Sequence, residues 1–270
     1  MNQLLRIGSN TQANHALRNL YKVNNKVALH QERLSTGKRI NSAKDDAAGY
    51  ALARSLEDRL SGMKIAKQNI QNAQSVLNIV EAGQQKSLEV VQEMREKMLR
   101  AMDSTLTQDQ RQSVLDRIND LKSELTDIYN SVKWNSSTPI PGTTVTFQVG
   151  EETSDTFSVS PSILQAGSFS FASTSAAPSS ADIDTIDAKL KLAIGYVQDT
   201  GSKISRLANK EDSISTRIAT TESVRSTIED ADFAEEQMEL IKAQIMQQTA
   251  TAALSQANTA PQIVLQLFQS

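Results

Sequence analysis

The chain has 270 residues, enough for one large or two ordinary domains, and its formal net charge of −3 gives bulk electrostatics no pull toward nucleic acid or an anionic membrane. Hydrophobic residues make up 39%, aromatics 4%, with only 10 Gly and 5 Pro, which is thin for a compact core but suits long helices that each bury one stripe. With no cysteine, disulfides and thiolate metal sites are excluded, a lack that also suits a chain travelling unfolded through a narrow conduit.

The first residues, MNQLLRIGSN, hold Leu4, Leu5 and Ile7 but no apolar signal core. No apolar run is long enough to predict a transmembrane helix. Ala13, Leu17, Leu20, Asn24, Val27, Gln31 and Leu34 follow at heptad spacing, a seam weakened by its polar members. Asn24 reads either as a register-setting seam residue or as part of an exposed face. Thr36 and Gly37 stop this helix: Gly accepts the left-handed position after a helix end, and Lys38 and Arg39 set positive charge at the negative end of the dipole. Ser42 sits where the next N-cap belongs, with Asp45 and Asp46 expected in the first turn. Leu34 to Tyr50 is therefore predicted as a joint between two helices.

Ala43 to about Ser104 reads as one helix. Met63, Ala66, Ile70, Ala73, Leu77 and Val80 form its stripe, and Leu88, Val91, Met94, Met98 and Met102 continue it after a phase shift. About 60 residues at 1.5 Å each would span about 90 Å, the length of a rod. Gly62 and Gly83 interrupt it at roughly 1 kcal/mol each relative to Ala, so bending is expected there. Asp103 to Asp109 reads as a loop with a new cap. Gln108 to Val132 is a predicted helix with the cleanest heptad: Val114, Ile118, Leu121, Leu125, Ile128 and Val132. The short loop before it implies an antiparallel neighbour.

Residues 135–180 hold four of the five prolines and many Ser and Thr. Thr143, Val145, Phe147 and Val149 alternate with polar or small residues, GEETSD follows, then Phe157 and Val159; this predicts a β-hairpin with a turn longer than two residues. Residues 166–182 read as loop, and Asn135 to Ser137 matches the N-glycosylation acceptor triplet. Helix resumes near Asp182, with Leu190, Ala193, Val197, Thr200, Ile204, Leu207, Glu211, Ile214 and Ile218 in heptad spacing. A last helical stretch from about Ile228 sets Phe233, Met238, Ile241 and Ile245 on one face. No charged residue occurs from Ala243 to Ser270. A solvated helix would carry charge, and a membrane helix would not carry this much Gln, so the tail is expected to be buried at least partly against other chains.

No constellation of residues supports catalysis, a metal or a cofactor. His15 and His30 are far apart on the first helix, and neither a zinc-protease motif nor a phosphate-binding loop occurs. Asp45 and Asp46 are adjacent and point apart on a helix. The stretch Glu222 to Glu239 holds seven carboxylates and one Arg. It reads either as a solvated face or as the partner of Arg33, Lys38, Arg39 and Lys44, at about 0–1 kcal/mol per exposed pair.

The chain resembles bacterial flagellin. The resemblance rests on Leu34-Ser35-Thr36-Gly37-Lys38-Arg39-Ile40-Asn41 followed by Asp45-Asp46-Ala47-Ala48-Gly49. It rests equally on Arg225-Ser226-Thr227-Ile228-Glu229-Asp230-Ala231-Asp232-Phe233-Ala234, on Lys242-Ala243-Gln244-Ile245, and on Gln256-Ala257-Asn258 with Pro261-Gln262. It covers roughly residues 1–135 and 180–270. What it implies is a mainly α fold, a long antiparallel coiled-coil or helical-bundle rod with a small β-hairpin insertion. Residues 1–42 with 228–270 would form an inner coiled-coil core, residues 43–134 with 181–227 an outer helical bundle, and residues 135–180 the hairpin insertion, with Phe147, Gln148, Val149 and Gly150 at its start.

The implied function is that of a structural subunit of the bacterial flagellar filament, a secreted helical homopolymer that serves swimming motility. It would not be an enzyme and would need no cofactor. Joint residues would be Leu34, Gly37, Lys38, Arg39, Asn41, Asp45, Asp46 and Gly49, facing Arg225, Ile228, Glu229, Asp230, Asp232 and Phe233. Polymerisation would use Leu17, Leu20, Val27, Met238, Ile241, Ile245, Leu254, Leu265 and Phe268. The implied partners are the chain itself, an export chaperone, the filament cap and hook-associated junction proteins, but neither nucleic acid nor membrane. The segment that other flagellins present to the animal Toll-like flagellin receptor has an Arg-Val-Arg-Glu-Leu core. Here Glu93, Met94, Arg95, Glu96 and Lys97 stand instead, so Arg95 and Glu96 match, while Glu93 reverses a charge and Lys97 replaces an apolar residue, which counts against receptor activation. Junction proteins share the terminal helices but usually lack the Asp-Asp-Ala-Ala-Gly continuation and the Pro261-Gln262 ending. A free helical scaffold or adhesin fits the uncharged tail poorly.

Overall fold

A computed structural model describes residues 10–135, 138–169 and 178–269, with no side-chain description for 138–139 and 260–269. Leu4, Leu5, Ile7, Ser136, Ser137 and the side chains of Leu265 and Phe268 thus lie outside the described residues. Five α-helices dominate: α1 Thr11–Thr36, α2 Ala47–Ala101, α3 Gln108–Ser131, α4 Ser180–Glu229 and α5 Phe233–Gln269. Strands β1 (Lys133–Trp134) and β2 (Thr138–Pro139) pair antiparallel, as do β3 (Val145–Gln148) and β4 (Thr156–Val159). This is a mainly α fold of long helices with a small β-hairpin. No helix among the described residues is long and apolar enough to cross a membrane.

The chain divides into two compact units, Met1–Asp58 with Thr220–Ser270, and Arg59–Ala219. The divisions fall within α2 and α4, at 58/59 and 219/220; the sequence reading set its bounds at 42/43 and 227/228.

The Arg59–Ala219 unit holds the apolar core. One cluster joins Val91, Met94 and Met98 of α2 to Ile118, Leu121 and Leu125 of α3 and to Ile186 of α4, with Phe169 against them. A second joins Met63, Ile70 and Leu77 of α2 to Leu207 and Ile214 of α4 and to Val149 and Val159 of the hairpin. The α2 stripe runs through both without a break. Gly83 is buried by close packing: a Cβ there would stand 2.4 Å from Val132 Cγ2 and 3.2 Å from Ile163 Cδ1. The missing side chain lets α2 press against the chain that leaves α3. Thr107 caps α3 and Gln110 completes the reciprocal capping box, which the sequence reading had only as a loop with a cap.

In this unit the hairpin is anchored by its turn. Glu151 accepts from Arg59 of α2 at 2.9 Å and Arg217 of α4 at 2.7 Å, and the Asn69 side chain donates to the Gln148 carbonyl. The hydrogen bond from Arg59 holds the Glu151 carboxyl below the usual carboxylate range against the opposing pull of burial, with both guanidinium charges helping.

Candidate functional site

The unit made by the two ends of the chain is built on different chemistry. Helix α1 starts on Asn10, whose side chain accepts from the Ala13 amide, and ends on Gly37, at φ +70°. That left-handed conformation is the one Gly tolerates and most residues do not. Helix α1 packs antiparallel to α5, tied by Asn10 to the Ala257 carbonyl, Gln247 to Asn24 at 2.8 Å, and His30 and Arg33 to Glu236.

The seam differs in phase from the sequence reading. On α1 the covered positions are Ala13, Ala16, Leu20, Val23, Val27, Leu29, His30, Arg33 and Leu34, while Leu17, Asn24 and Gln31 are exposed. On α5 they are Glu236, Glu239, Leu240, Ala243, Met246, Gln247, Ala250, Leu254 and Ala257. A three-four alternation runs through each set, from Ala13 to Leu34 and from Glu236 to Ala257, with neighbours of the main seam covered beside it. No residue of α1 is fully buried. The face expected from the α5 sequence, Phe233, Met238, Ile241 and Ile245, is 47–65% exposed and turned away from α1.

Glu236 is the polar centre of this seam. Its carboxylate accepts from His30 Nδ1 at 2.5 Å and Arg33 Nη1 at 2.9 Å. Burial alone would raise its pKa; the bonds and charges of Arg33 and His30 outweigh that and hold it below the usual carboxylate range. His30 is thus a seam residue. Its signal in the sequence was its place in the heptad offset by one from the more apolar Leu17.

The joint brings most of the predicted residues together. The Gly37 carbonyl accepts from the Ala231 amide at 3.0 Å, the Arg39 amide donates to the Glu229 carbonyl at 2.7 Å, and Lys38 pairs with Asp230 as an isolated β-bridge. The Glu229 side chain is only 3% exposed and accepts from Lys38 Nζ at 2.7 Å and Arg54 Nη2 at 2.8 Å. Arg225, one turn earlier, approaches its other oxygen at 3.9 Å. Arg54 also bonds Glu57 and lies over the Tyr50 ring at 5.1 Å. A carboxylate removed from water needs such partners. Arg54 was missed by sequence reasoning because it lies outside the basic run, two turns into α2. Arg39 donates to the Ile228 carbonyl, and Asn41 to that of Lys38.

Five expectations at the joint are corrected. Ser42 does not cap α2, and Asp45 and Asp46 are not in its first turn. The helix begins at Ala47, with Asp46 Oδ1 accepting from the Ala48 and Gly49 amides. Asp45 instead folds the preceding loop, its Oδ2 accepting from the amides of Asn41 and Ser42 and from the Ser42 hydroxyl. A Cβ on Gly49 would stand 2.5 Å from Asp46 Oδ2 and 2.7 Å from buried Ile40. The last helix does not start at Ile228: α4 runs to Glu229, and Asp232 caps α5 by accepting from the Ala234 and Glu235 amides. Asp232 therefore does not turn to the basic side, and Lys44 has no ion pair among the described residues.

In the Arg59–Ala219 unit, Arg95 is bonded to Asp187 and Glu93 to Arg117, while Glu96 is exposed.

The family model for the bacterial flagellin N-terminal helical region matches residues 7–143, and that for the C-terminal helical region matches 183–268. Flagellin of Bacillus subtilis is 30% identical, aligned over 98% of this chain and 100% of its own length. Flagellin FlaB2 of Treponema pallidum is 28% identical over 97% of this chain and 99% of its own. Among solved structures, a Vibrio parahaemolyticus chain assigned as a flagellar hook-associated protein superposes with a TM-score of 0.57 at 14% identity. It covers 69% of this chain and 100% of its own, a likeness of fold alone. The two terminal models and the end-to-end relatives place this chain in the bacterial flagellin family, the structural subunits of the flagellar filament.

Proposed function

We propose that the chain is exported unfolded and self-assembles into the helical filament through the α1–α5 unit, whose Leu34–Tyr50 joint fixes the end of α1 against the chain that leads into α5. The observation that carries this reading is the α1–α5 seam itself. It leaves α1 with no buried residue while Phe233, Met238, Ile241 and Ile245 stay exposed on α5. A helix pair with so little cover of its own gains burial only from further copies. Heterologous contacts that do not close on themselves extend as a helix. Exposed Leu17 on α1 is the further residue assigned to these contacts, while Leu20, Val27 and Leu254 serve the seam within each chain.

The same apolar α5 face is where an export chaperone would act before assembly, and the finished filament would meet a cap and hook-associated junction proteins. The subunit is structural, as its family is, and works in swimming by forming the propeller rather than by catalysis. Engagement of the animal Toll-like flagellin receptor is expected to be weak, because Arg95 is held by Asp187 and Glu93 carries the wrong charge. A reporter-cell assay with purified monomer reads this. Negative-stain microscopy after salt-induced association tests the central reading: long filaments are expected, and soluble monomers or small fixed oligomers would overturn it.

A further inference from the structure

The chain has seven methionines, and their settings divide sharply. Met63, Met94 and Met98 are at most 1% exposed in the core of the Arg59–Ala219 unit, and Met102 and Met246 are partly covered. Met238 alone among the described residues is openly exposed, at 65%. It lines a shallow groove of about 320 Å³ on α5 with Ile241, Lys242, Ile245 and Met246. Its thioether therefore stands in solvent in the free subunit, in the middle of the apolar face assigned above to subunit contacts.

We infer that Met238 is an oxidation-sensitive modification site that decides whether a subunit can join the polymer. The inference rests on the filament reading of α5. The oxidant is a hydroperoxide. The Met238 sulfur attacks the distal peroxide oxygen, the O–O bond breaks, and the sulfur is oxidised by two electrons to the sulfoxide. The peroxide is reduced to water, or to an alcohol if organic. Thioether oxidation follows access, so the core methionines are spared. The product converts a flexible apolar side chain into a polar one with a strong acceptor. Ile241 and Ile245 beside it offer no donor, and Lys242, the one donor side chain of the groove, already gives its ammonium to Glu239 at 2.9 Å, so burying the sulfoxide in a subunit contact either leaves that acceptor unsatisfied or draws the Lys242 charge out of water with it. Once Met238 is covered in a filament it is out of reach, so the sensitivity belongs to the subunit before assembly and spares the finished polymer.

The experiment treats full-length monomer and preformed filament with hydrogen peroxide, and reads each methionine by peptide mass spectrometry. In monomer, Met238 is expected to oxidise about tenfold faster or more than Met63, Met94 and Met98, and in filament to be protected several-fold. Oxidised monomer is expected to show a critical concentration raised about tenfold, as for a buried polar group without a partner. Methionine sulfoxide reductase should restore it. Met238→Leu should assemble equally well before and after peroxide, and Met238→Gln should assemble poorly with no peroxide at all. Equal oxidation of Met238 and the core methionines, unchanged assembly of oxidised wild type, or peroxide loss in Met238→Leu equal to wild type would each overturn the inference. If untreated wild type forms no filament, the filament reading is what fails, and the monomer oxidation pattern still judges the selectivity of Met238.

Discussion

Glu229 carries the heaviest electrostatic demand at the joint. Its carboxylate is nearly inaccessible, yet Lys38 and Arg54 reach it from sites 38% and 41% exposed. Glu229→Gln keeps the shape and removes the charge both cations face. Water can rehydrate those cations, so the cost is expected at the lower end for a broken buried pair, on the order of 1–3 kcal/mol. The expected readout is a filament that depolymerises at lower temperature, with unchanged melting of the Arg59–Ala219 unit. A fall in both together would mean that Glu229 serves general stability instead. Arg39→Glu should act in the same direction but more weakly, because that side chain gives one hydrogen bond to a carbonyl from an exposed position. At this scale the sequence left open whether the acidic stretch is solvated or meets the basic joint, and which groups would pair. Asp232 and Asp46 could equally have been ion-pair partners; both are spent on helix N-termini, where local amides outcompete a distant cation.

At the scale of elements, the β3–β4 hairpin is anchored by Glu151, whose carboxyl titrates below its usual range because of Arg59 and Arg217. A carboxyl with a depressed folded pKa contributes stability that is complete above its unfolded pKa, about 4.3, and disappears as the pH falls through the folded value. The hairpin is therefore expected to be fully anchored at neutral pH and to loosen in acid. Protection of the Val149 and Val159 amides, taken as exchange relative to the intrinsic rate at each pH, should fall from pH 6 to pH 3 in wild type and change far less in Glu151→Gln; a parallel fall in both would exclude Glu151 as the cause. The hairpin, the two strongest heptads and all five helices were legible, since strong alternation or long periodic runs left few other choices. The α1–α5 seam was not read in its correct phase. Leu17 outweighs Ala16 in any hydrophobicity count, and Phe233, Met238 and Ile241 outweigh Glu236 and Ala243. The helices approach through a mixed seam in which Ala, His, Gln and Glu stand between Leu and Val, while Leu17, Phe233, Met238, Ile241 and Ile245 are left outside. The β1–β2 pair was also missed: two residues a strand, with Pro139 in one of them, leave no periodicity to detect.

For the whole molecule, the two units differ in what holds them. The Arg59–Ala219 unit has three apolar clusters of residues mostly below 5% exposure. The other unit leans on a thin seam that mixes Leu and Val with Ala, Gln, His and Glu, together with the joint's hydrogen bonds. Local opening should follow this difference. In monomer, amides of α1 and of residues 235–259 are expected to exchange fast beside those of Arg59–Ala101, and to slow by orders of magnitude in filament. Equal protection in both states would contradict assembly-coupled folding. Function was legible at this scale because two long motifs at opposite ends of the chain occur together in order. The domain bounds were less so, because α2 and α4 continue through 58/59 and 219/220 with no break in pattern to mark the change.

Because α1 buries no residue, it also offers little resistance to a protease. Arg18, Lys22 and Lys26 are all exposed along it, and cleavage needs only a local opening that costs such a helix little. Brief trypsin treatment of the monomer should therefore nick α1 before the part of α2 from Arg59 onward. Beyond Lys242 no Lys or Arg remains, so the last 28 residues should come away as one uncut peptide. Mass spectrometry of the timed digest reads both, and cleavage of α2 ahead of α1 would show that the thin seam is firmer than its burial suggests.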